Sequence, residues 1–391
     1  MAAVDFDFAP EEQAFRTDLR AFLAEKLPSW WRGMFVEDEG VMPLTRDICR
    51  ALADLGWLTM AWPPEHGGRG ASVWMQTVLR EEMWAHEEPR GPQYMNLNYI
   101  GPLLMRFGTP DQQQEFLTPM ARGDVLWTQL FSEPDAGSDL ASLRTRAEDR
   151  GDHFIVNGQK IWSSYADAPA DYGLLLARTN TGVAKHAGIS VFLLDMTTPG
   201  ITVRPIPTMA GPHEFNEVFL DNVHVPRASL LGEQDGGWGV VTTGLTFERV
   251  GIARYARAAA VLALGVAHAN STGRSQEPAV RRLLADLAAR IEAARLCSYR
   301  AVSIQARGDV PVVEASIARM HNSIVEQLAG NVVMEVIGPT AQLRATDLDA
   351  PLAGEPTRHW LRNIPTTVAA GTLEMQKNIV AQRGLGLPRP V

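Results

Sequence analysis

The sequence predicts an α+β multi-domain chain: an N-terminal α-helical domain over 1–125, a middle β-barrel or sandwich domain over 126–232, and a C-terminal four-helix bundle over 233–391. Three observations predict it. Apolar residues recur at helical spacing early in the chain, the period shortens to that of strands in the middle, and long alanine-rich helical runs follow. In the first block, Pro10 suits a first helical position, and Glu11 and Glu12 suit the positive end of the helix dipole. Phe15, Leu19, Phe22 and Leu23 then form one buried stripe. Further helices are predicted in "LTRDICRALADLG" and "SVWMQTVLREEMW", separated by the loop "WPPEHGGRGA".

The middle block opens its strands with "HFIVNGQKIW", where Asn157-Gly158 suits a two-residue type I′ hairpin turn. "YGLLLART", "GISVFLLDM", "ITVRPI" and "NEVFLDNVHV" follow as short β-rich runs, a spacing expected of a small sandwich or barrel. In the last block, "RYARAAAVLALGVAHAN", "EPAVRRLLADLAARIEAARLCSYRAVSIQ" and "VVEASIARMHNSIVEQLAGNVVMEVIG" have the length and apolar faces of bundle helices. Clefts between such unlike domains are where small-molecule sites tend to form.

Composition narrows the function. The 391 residues carry a net charge of −9, so no global basic field draws the chain to nucleic acid or anionic lipid. Cys49 and Cys297 are the only cysteines, too few for a disulfide framework or a thiolate metal site. The start "MAAVDFDFAPEEQ" is acidic and does not read as a secretory signal. No apolar run reaches the roughly 18 residues of a membrane span. A cytoplasmic location is expected.

Motifs for several enzyme classes are missing. No Gly-x-Gly-x-x-Gly or Walker-type loop is present, the histidines form no His-x-x-x-His pair, and Gly-x-Ser-x-Gly is absent. What remains is "LFSEPDAGSDL" followed by "NGQKIWSSYAD". Ser132, Ser138 and the backbone N–H groups around Gly137 are able to donate to an anion or a heteroaromatic ring. Trp162 offers a flat stacking face, with Ser164 beside it. Taken alone, these read more readily as a turn and a core tryptophan, because single turns and aromatics are common.

Together and in this order they resemble the acyl-CoA dehydrogenase family. The resemblance extends over "GWLTMAWPPEHGG", "FNEVFLDNVHVPRASLLGE", "GWGVVTTGLTFERVGIAR" and "AAGTLEMQKNIVAQRGLGLPR", nearly the whole chain. It implies FAD as cofactor, with the loop around Phe131, Ser132, Gly137 and Ser138 against it. Ser132 would contact the ring, Phe131 would act through its backbone, and Ser138 would bind a phosphate or the substrate's CoA end. Trp162 would stack on the isoalloxazine, and Ser164 would bond near N5. Thr372 and Gly338 fall at further cofactor contacts.

The resemblance also implies α,β-dehydrogenation of an acyl-CoA thioester, with a carboxylate taking the α-proton. Many members carry that glutamate directly before the C-terminal Gly-Thr, where this chain has Ala370. Members handling branched or bulky acyl groups carry it on the early bundle helix, where this chain has Glu248 followed by Arg249. Glu248 is therefore the expected base, Arg249 its orienting neighbour, and the Ala370 backbone N–H a donor to the thioester oxygen. The competing reading of Glu248 is a first-turn acid paired with Arg249 or Arg254. Glu133 and Glu374 are the rival carboxylates, Glu133 the better loop-shaping residue.

The match thins in two places. The expected Arg-x-x-Phe-Gly segment reads "ANSTGRSQEPAVRRLL", and Gly338 is followed by Pro339 where a second glycine is usual. Both segments reach a neighbouring subunit's FAD in the family. The partners implied are an acyl-CoA or acyl-carrier thioester, an electron-transfer flavoprotein-like acceptor, and a homotetramer or dimer, with a heterotetramer of two different chains as alternative. Fatty acid or sterol side-chain metabolism is the expected setting. Flavin-dependent monooxygenases and oxidases on the same fold, and a non-catalytic partner subunit, are the competing functions.

Overall fold

The computed structural model describes residues 8–36, 38–167, 170–211, 214–250 and 253–388, with side chains undescribed over 245–250. The leading helices are α1 (Pro10–Lys26), α2 (Val41–Asp54), α3 (Val73–Ala85), the single-turn α4 (Gln93–Met95), α5 (Gly101–Phe107) and α6 (Pro110–Ala121). Strands follow: β1 (Trp127–Leu130), β2 (Arg146–Asp149), β3 (His153–Ser164), β4 (Tyr172–Arg178), β5 (Ile189–Asp195), β6 (Ile201–Ile206), β7 (Phe215–Pro226) and β8 (Leu230–Leu231). The chain then returns to helix in α7 (Gly237–Val250), α8 (Arg254–Ser271), α9 (Pro278–Ala306), α10 (Val312–Ile337), α11 (Glu355–Asn363) and α12 (Leu373–Ile379).

The start of α1 follows its sequence signals. Pro10 occupies the first turn, the Glu12 carboxylate accepts from the Ala9 N–H at 2.8 Å, and Phe15, Leu19, Phe22 and Leu23 are the buried face. Contacts divide the chain into two compact units. One comprises residues 1–31, 71–88 and 249–391; the other comprises 32–70 and 89–248.

The first unit is all helix, with α8, α9 and α10 packed on one another and α1 and α3 joined to them. The join is polar as well as apolar. Glu81 on α3 accepts from Tyr255 of α8 at 2.6 Å, from Tyr299 of α9 at 2.7 Å, and from Arg16 of α1 at 2.5 Å. Phe8, Trp74 and Tyr299 stack edge to face around it.

Within this unit lies a buried charge cluster that nothing in the sequence announced. Glu87 and Glu88 both have left-handed backbone, at φ 63° and 58°. The Glu87 carboxylate faces Arg358 and Arg362 at 3.6 Å, His359 at 3.8 Å and Arg257 at 4.0 Å. Glu326 pairs with Arg254 at 2.6 Å and with Arg257. Burial by itself would raise the Glu87 pKa, but His359, Arg358, Arg257 and Arg362 override it and hold the group down to about 2. Burial pushes the His359 imidazole below its usual value.

The second unit carries a mixed eight-stranded sheet in the order β6-β7-β3-β2-β4-β5-β8, with β1 parallel to β4. Leu130, Phe154, Val156, Leu175, Phe192, Val218 and Val225 pack as its core. The Asn157-Gly158 reading is corrected here. Both residues lie inside β3, and the β2–β3 connection turns instead around Gly151. The dipeptide marks an irregular register: Val156 pairs with Val223 and Gly158 with Leu220, so β7 carries the extra residue. Asn157 serves that bulge by accepting from the Asn222 N–H at 2.8 Å. Glycine is needed at 158 because a Cβ there would lie 2.4 Å from the Thr145 hydroxyl.

No helix among the described residues is long and apolar enough to cross a membrane. Among those residues, no group of three or more His, Cys, Asp or Glu is placed to hold a metal ion.

Candidate functional site

In the sheet-bearing unit, one loop and one strand bring six of the expected residues together. The loop leaves β1 at Phe131 and folds into a tight turn, with Glu133 and Ala136 exchanging backbone hydrogen bonds at 3.0 Å each way. The Ile161 N–H donates to the Ser132 carbonyl at 2.9 Å, stitching loop to strand. Beyond the turn, Gly137 and Ser138 are exposed, and a Cβ on Gly137 would meet nothing within 4 Å. The backbone there is open to approach.

Lys160, fully buried, fixes this loop from behind. Its ammonium donates to the Phe131 carbonyl at 3.1 Å and to the Glu133 carboxylate at 2.8 Å. Glu133 also accepts from the Arg144 and Thr145 N–H groups at 2.6 and 2.9 Å. Burial lowers Lys160 to about 8 against the pull of Glu133. Burial would raise Glu133, but Lys160 holds it below the usual carboxylate range. Both are thus charged at neutral pH, and the Glu133 carboxylate is committed to shaping the loop.

Trp162 is aimed by a second bulge. Lys160 pairs with Val218 and Ser163 with Asn216, so Ile161 and Trp162 oppose Glu217 alone. Trp162 adopts φ 61°, and its indole is 56% exposed with Phe215 set edge-on at 6.1 Å. A left-handed tryptophan presenting its ring to open space is a costly arrangement that packing does not explain. The hydroxyls of Ser132 and Ser164 have no hydrogen-bond partner among the described residues, while the Ser164 carbonyl accepts from Thr128 at 2.7 Å. An open flat ring, two uncommitted hydroxyls and a bare glycine backbone fit a planar heteroaromatic cofactor with a phosphate tail. FAD is such a group.

In the helical unit, Ala370 and Gly371 are consecutive left-handed residues, at φ 56° and 90°. Thr372 caps α12 by accepting from the Met375 N–H at 3.1 Å. Arg319 on α10 donates to the Ala369 carbonyl, just before Ala370. Gly338 ends α10, roughly 27 Å further along that helix at 1.5 Å per residue. The structure therefore does not bring Gly338 to Ala370 and Thr372 within one chain. Glu374 is exposed in the first turn of α12. The α7 backbone runs over Glu248 and Arg249, whose side chains lie outside the described residues.

Sequence reasoning missed Lys160 and Arg319. Lys160 lay inside a quoted motif, and a lone lysine in an apolar strand is a signal for a buried partner. A groove of about 820 Å³ in the sheet-bearing unit, walled by Arg50, Glu65, His66, Gln113, Arg122 and Asp124, contains none of the expected residues.

Comparison with known proteins gives three matched family models: acyl-CoA dehydrogenase N-terminal domain over 9–124, middle domain over 128–223, and C-terminal domain over 235–385. The chain is similar to the acyl-CoA dehydrogenase FadE26 of Mycobacterium tuberculosis, at 33% identity covering 98% of each chain. Among solved structures it is similar to the "Tcur3481-Tcur3483 steroid ACAD", with a TM-score of 0.91 and 31% identity over 99% of this chain and 100% of that one. It is also similar to a chain of the ChsE4-ChsE5 complex from Mycobacterium tuberculosis, with a TM-score of 0.88 and 32% identity over 99% and 100%.

Proposed function

This chain belongs to the acyl-CoA dehydrogenase family of FAD-dependent oxidoreductases, and from that premise we propose that it desaturates a branched, long or bulky acyl-CoA between Cα and Cβ, with Glu248 as the base. The Glu248 carboxylate takes the α-proton and becomes a carboxylic acid. The β-hydrogen departs with its electron pair, and the product is the trans-2-enoyl thioester. FAD, when bound, supplies the acceptor for that hydride at N5. Trp162, Ser132, Ser164 and the Phe131 backbone would hold the flavin ring, Ser138 and the Gly137 backbone the phosphate and CoA end, and Thr372 a further contact. The Ala370 N–H donates to the thioester oxygen, a task that requires no side chain. Arg249 orients the base.

One observation carries the reading. Position 370 holds a methyl group where many members hold the catalytic glutamate, while Gly371 and Thr372 are retained and Glu248 stands on the early bundle helix. A smaller residue at 370 leaves room for a bulky acyl chain. A steroid-like thioester is the favoured substrate, supported by the similarity to a steroid acyl-CoA dehydrogenase.

A second reading concerns assembly. Gly338 lies far along α10 from Ala370, so a role for it in cofactor binding requires another subunit's site. That subunit is a second copy or a different chain, and the relatives named as pairs favour the latter. The electrons then leave to an electron-transfer flavoprotein-like acceptor.

An anaerobic titration of the purified protein with straight, branched and steroid-like acyl-CoAs tests these readings. The steroid-like thioester is expected to bleach a yellow flavin, and Glu248→Gln to keep the colour without bleaching. Bleaching that survives Glu248→Gln would remove Glu248 as base. A colourless protein would point to a missing partner chain, and a flavin that no thioester bleaches to the oxygen-using enzymes of this fold.

A further inference from the structure

We propose that Arg319 is a positioning residue for the peptide joining Ala369 to Ala370, aiming and polarising the N–H that takes up charge from the thioester oxygen. The inference rests on the role given above to the Ala370 amide. Arg319 sits on α10 with only 4% of its surface exposed. Its Nη2 donates to the Ala369 carbonyl and, at 3.4 Å, to the Thr366 carbonyl.

The Ala369 C=O and the Ala370 N–H belong to one trans peptide and so point in opposite directions. Turning the carbonyl onto Arg319 turns the N–H away from it. That N–H has no partner among the described residues. A donor left uncommitted beside a buried arginine is poised for an acceptor that arrives later.

The surrounding turn is anchored at other points by other groups. The Val368 and Ala369 N–H groups donate to the Pro365 carbonyl at 2.9 and 3.0 Å, and Gln327 donates to the Ile364 carbonyl at 2.7 Å. Gln376 reaches the Gly371 carbonyl at 3.4 Å. Arg319 is the side chain that holds the donor peptide itself. Because Ala370 and Gly371 are both left-handed, the backbone has no helical ladder of its own to set that peptide's tilt. A cation bonded to the carbonyl also draws electron density through the peptide and makes its N–H a stronger donor. In a buried setting this polarisation is fixed before substrate arrives, which is how a donor favours developing negative charge.

The test uses the holoenzyme, its best-bleaching acyl-CoA, and the 2,4-dienoyl-CoA of the same class, whose absorption moves to the red when its carbonyl is polarised. Arg319→Met is expected to keep its FAD and lower kcat roughly 10- to 100-fold with KM within threefold. It should also lose most of the red shift of the bound dienoyl-CoA. Arg319→Lys, which keeps the charge and one donor, is expected to recover a third or more of both, and it carries the test should the methionine variant fail to fold. Wild-type kcat and red shift in both variants would overturn the role of Arg319 and leave the Ala370 reading intact. A fall in kcat with the red shift unchanged would also overturn it, because a merely structural residue behaves that way. No red shift in the wild-type enzyme would remove the Ala370 amide as a donor, and the role of Arg319 with it.

Discussion

Lys160 and Glu133 form a buried ion pair with 2.8 Å between ammonium and carboxylate, and the same ammonium bonds the Phe131 carbonyl at the root of the exposed loop. Removing one member leaves the other charge buried without its partner, a loss of about 3–5 kcal/mol. Lys160→Met is therefore expected to lower stability by that amount in urea unfolding and to lose FAD on gel filtration. Lys160→Met with Glu133→Gln should regain part of the stability, because the orphaned carboxylate is gone, but not the FAD.

Trp162 separates cofactor binding from folding. Its indole is more than half exposed, so Trp162→Ala should move the melting temperature of the FAD-free protein little. Loss of a stacking partner worth about 1–1.5 kcal/mol should raise the Kd for FAD roughly five- to tenfold. Fluorescence titration with FAD measures the second effect and calorimetry the first.

Glu87 makes the helical unit acid-sensitive in a defined window. Its carboxyl sits at about 2 in the fold and near 4.5 unfolded, so its contribution is complete above pH 4.5 and is lost as pH falls towards 2. At 1.36 kcal/mol per unit that contribution is about 3 kcal/mol. Glu87→Gln is expected to remove most of it at pH 7 and to make the stability-against-pH curve shallower between 4.5 and 2, the remaining slope belonging to other lowered carboxylates such as Glu133. Urea midpoints at a series of pH values show whether the slope falls by that amount.

Ala370 adopts φ 56°, which costs an L-residue with a Cβ about 1–2 kcal/mol. Ala370→Gly relieves that strain but adds freedom to the unfolded chain, leaving a net gain of about 0.5 kcal/mol. Its backbone N–H is retained, so kcat is expected to stay within threefold of wild type. A large loss of activity would show that the methyl group matters to the reaction.

Periodicity was enough to read α1, because Phe15, Leu19, Phe22 and Leu23 lie on one face and Pro10 marks its start. The long bundle helices were legible for the same reason. Asn157-Gly158 misled because a turn dipeptide and a bulge dipeptide share a composition, and only the strand opposite decides between them. The loop and Trp162 were visible through their motif, whereas their supports were not. Lys160 meets Glu133 across 27 residues, and Arg319 meets Ala369 across 50, and neither distance leaves a local pattern. Glu87 is harder still. Its partners come from α8 and α11, and nothing within its own turn distinguishes it from a surface acid.

The bond from Tyr299 to Glu81 spans 218 residues of sequence, and the helical unit to which both belong is assembled from three separated stretches. On the ribosome, α1 and α3 emerge long before α8 and α9 exist to cover them. Their apolar faces, with Glu81 and Glu87 beside them, must wait through the synthesis of the whole sheet. Such high contact order slows folding and lengthens the interval in which nascent helices remain sticky. The sheet-bearing unit, made of two stretches that end at residue 248, can close first. Completion of the bundle is then the late, slow step of biogenesis, and the one at which a holding chaperone has most to do.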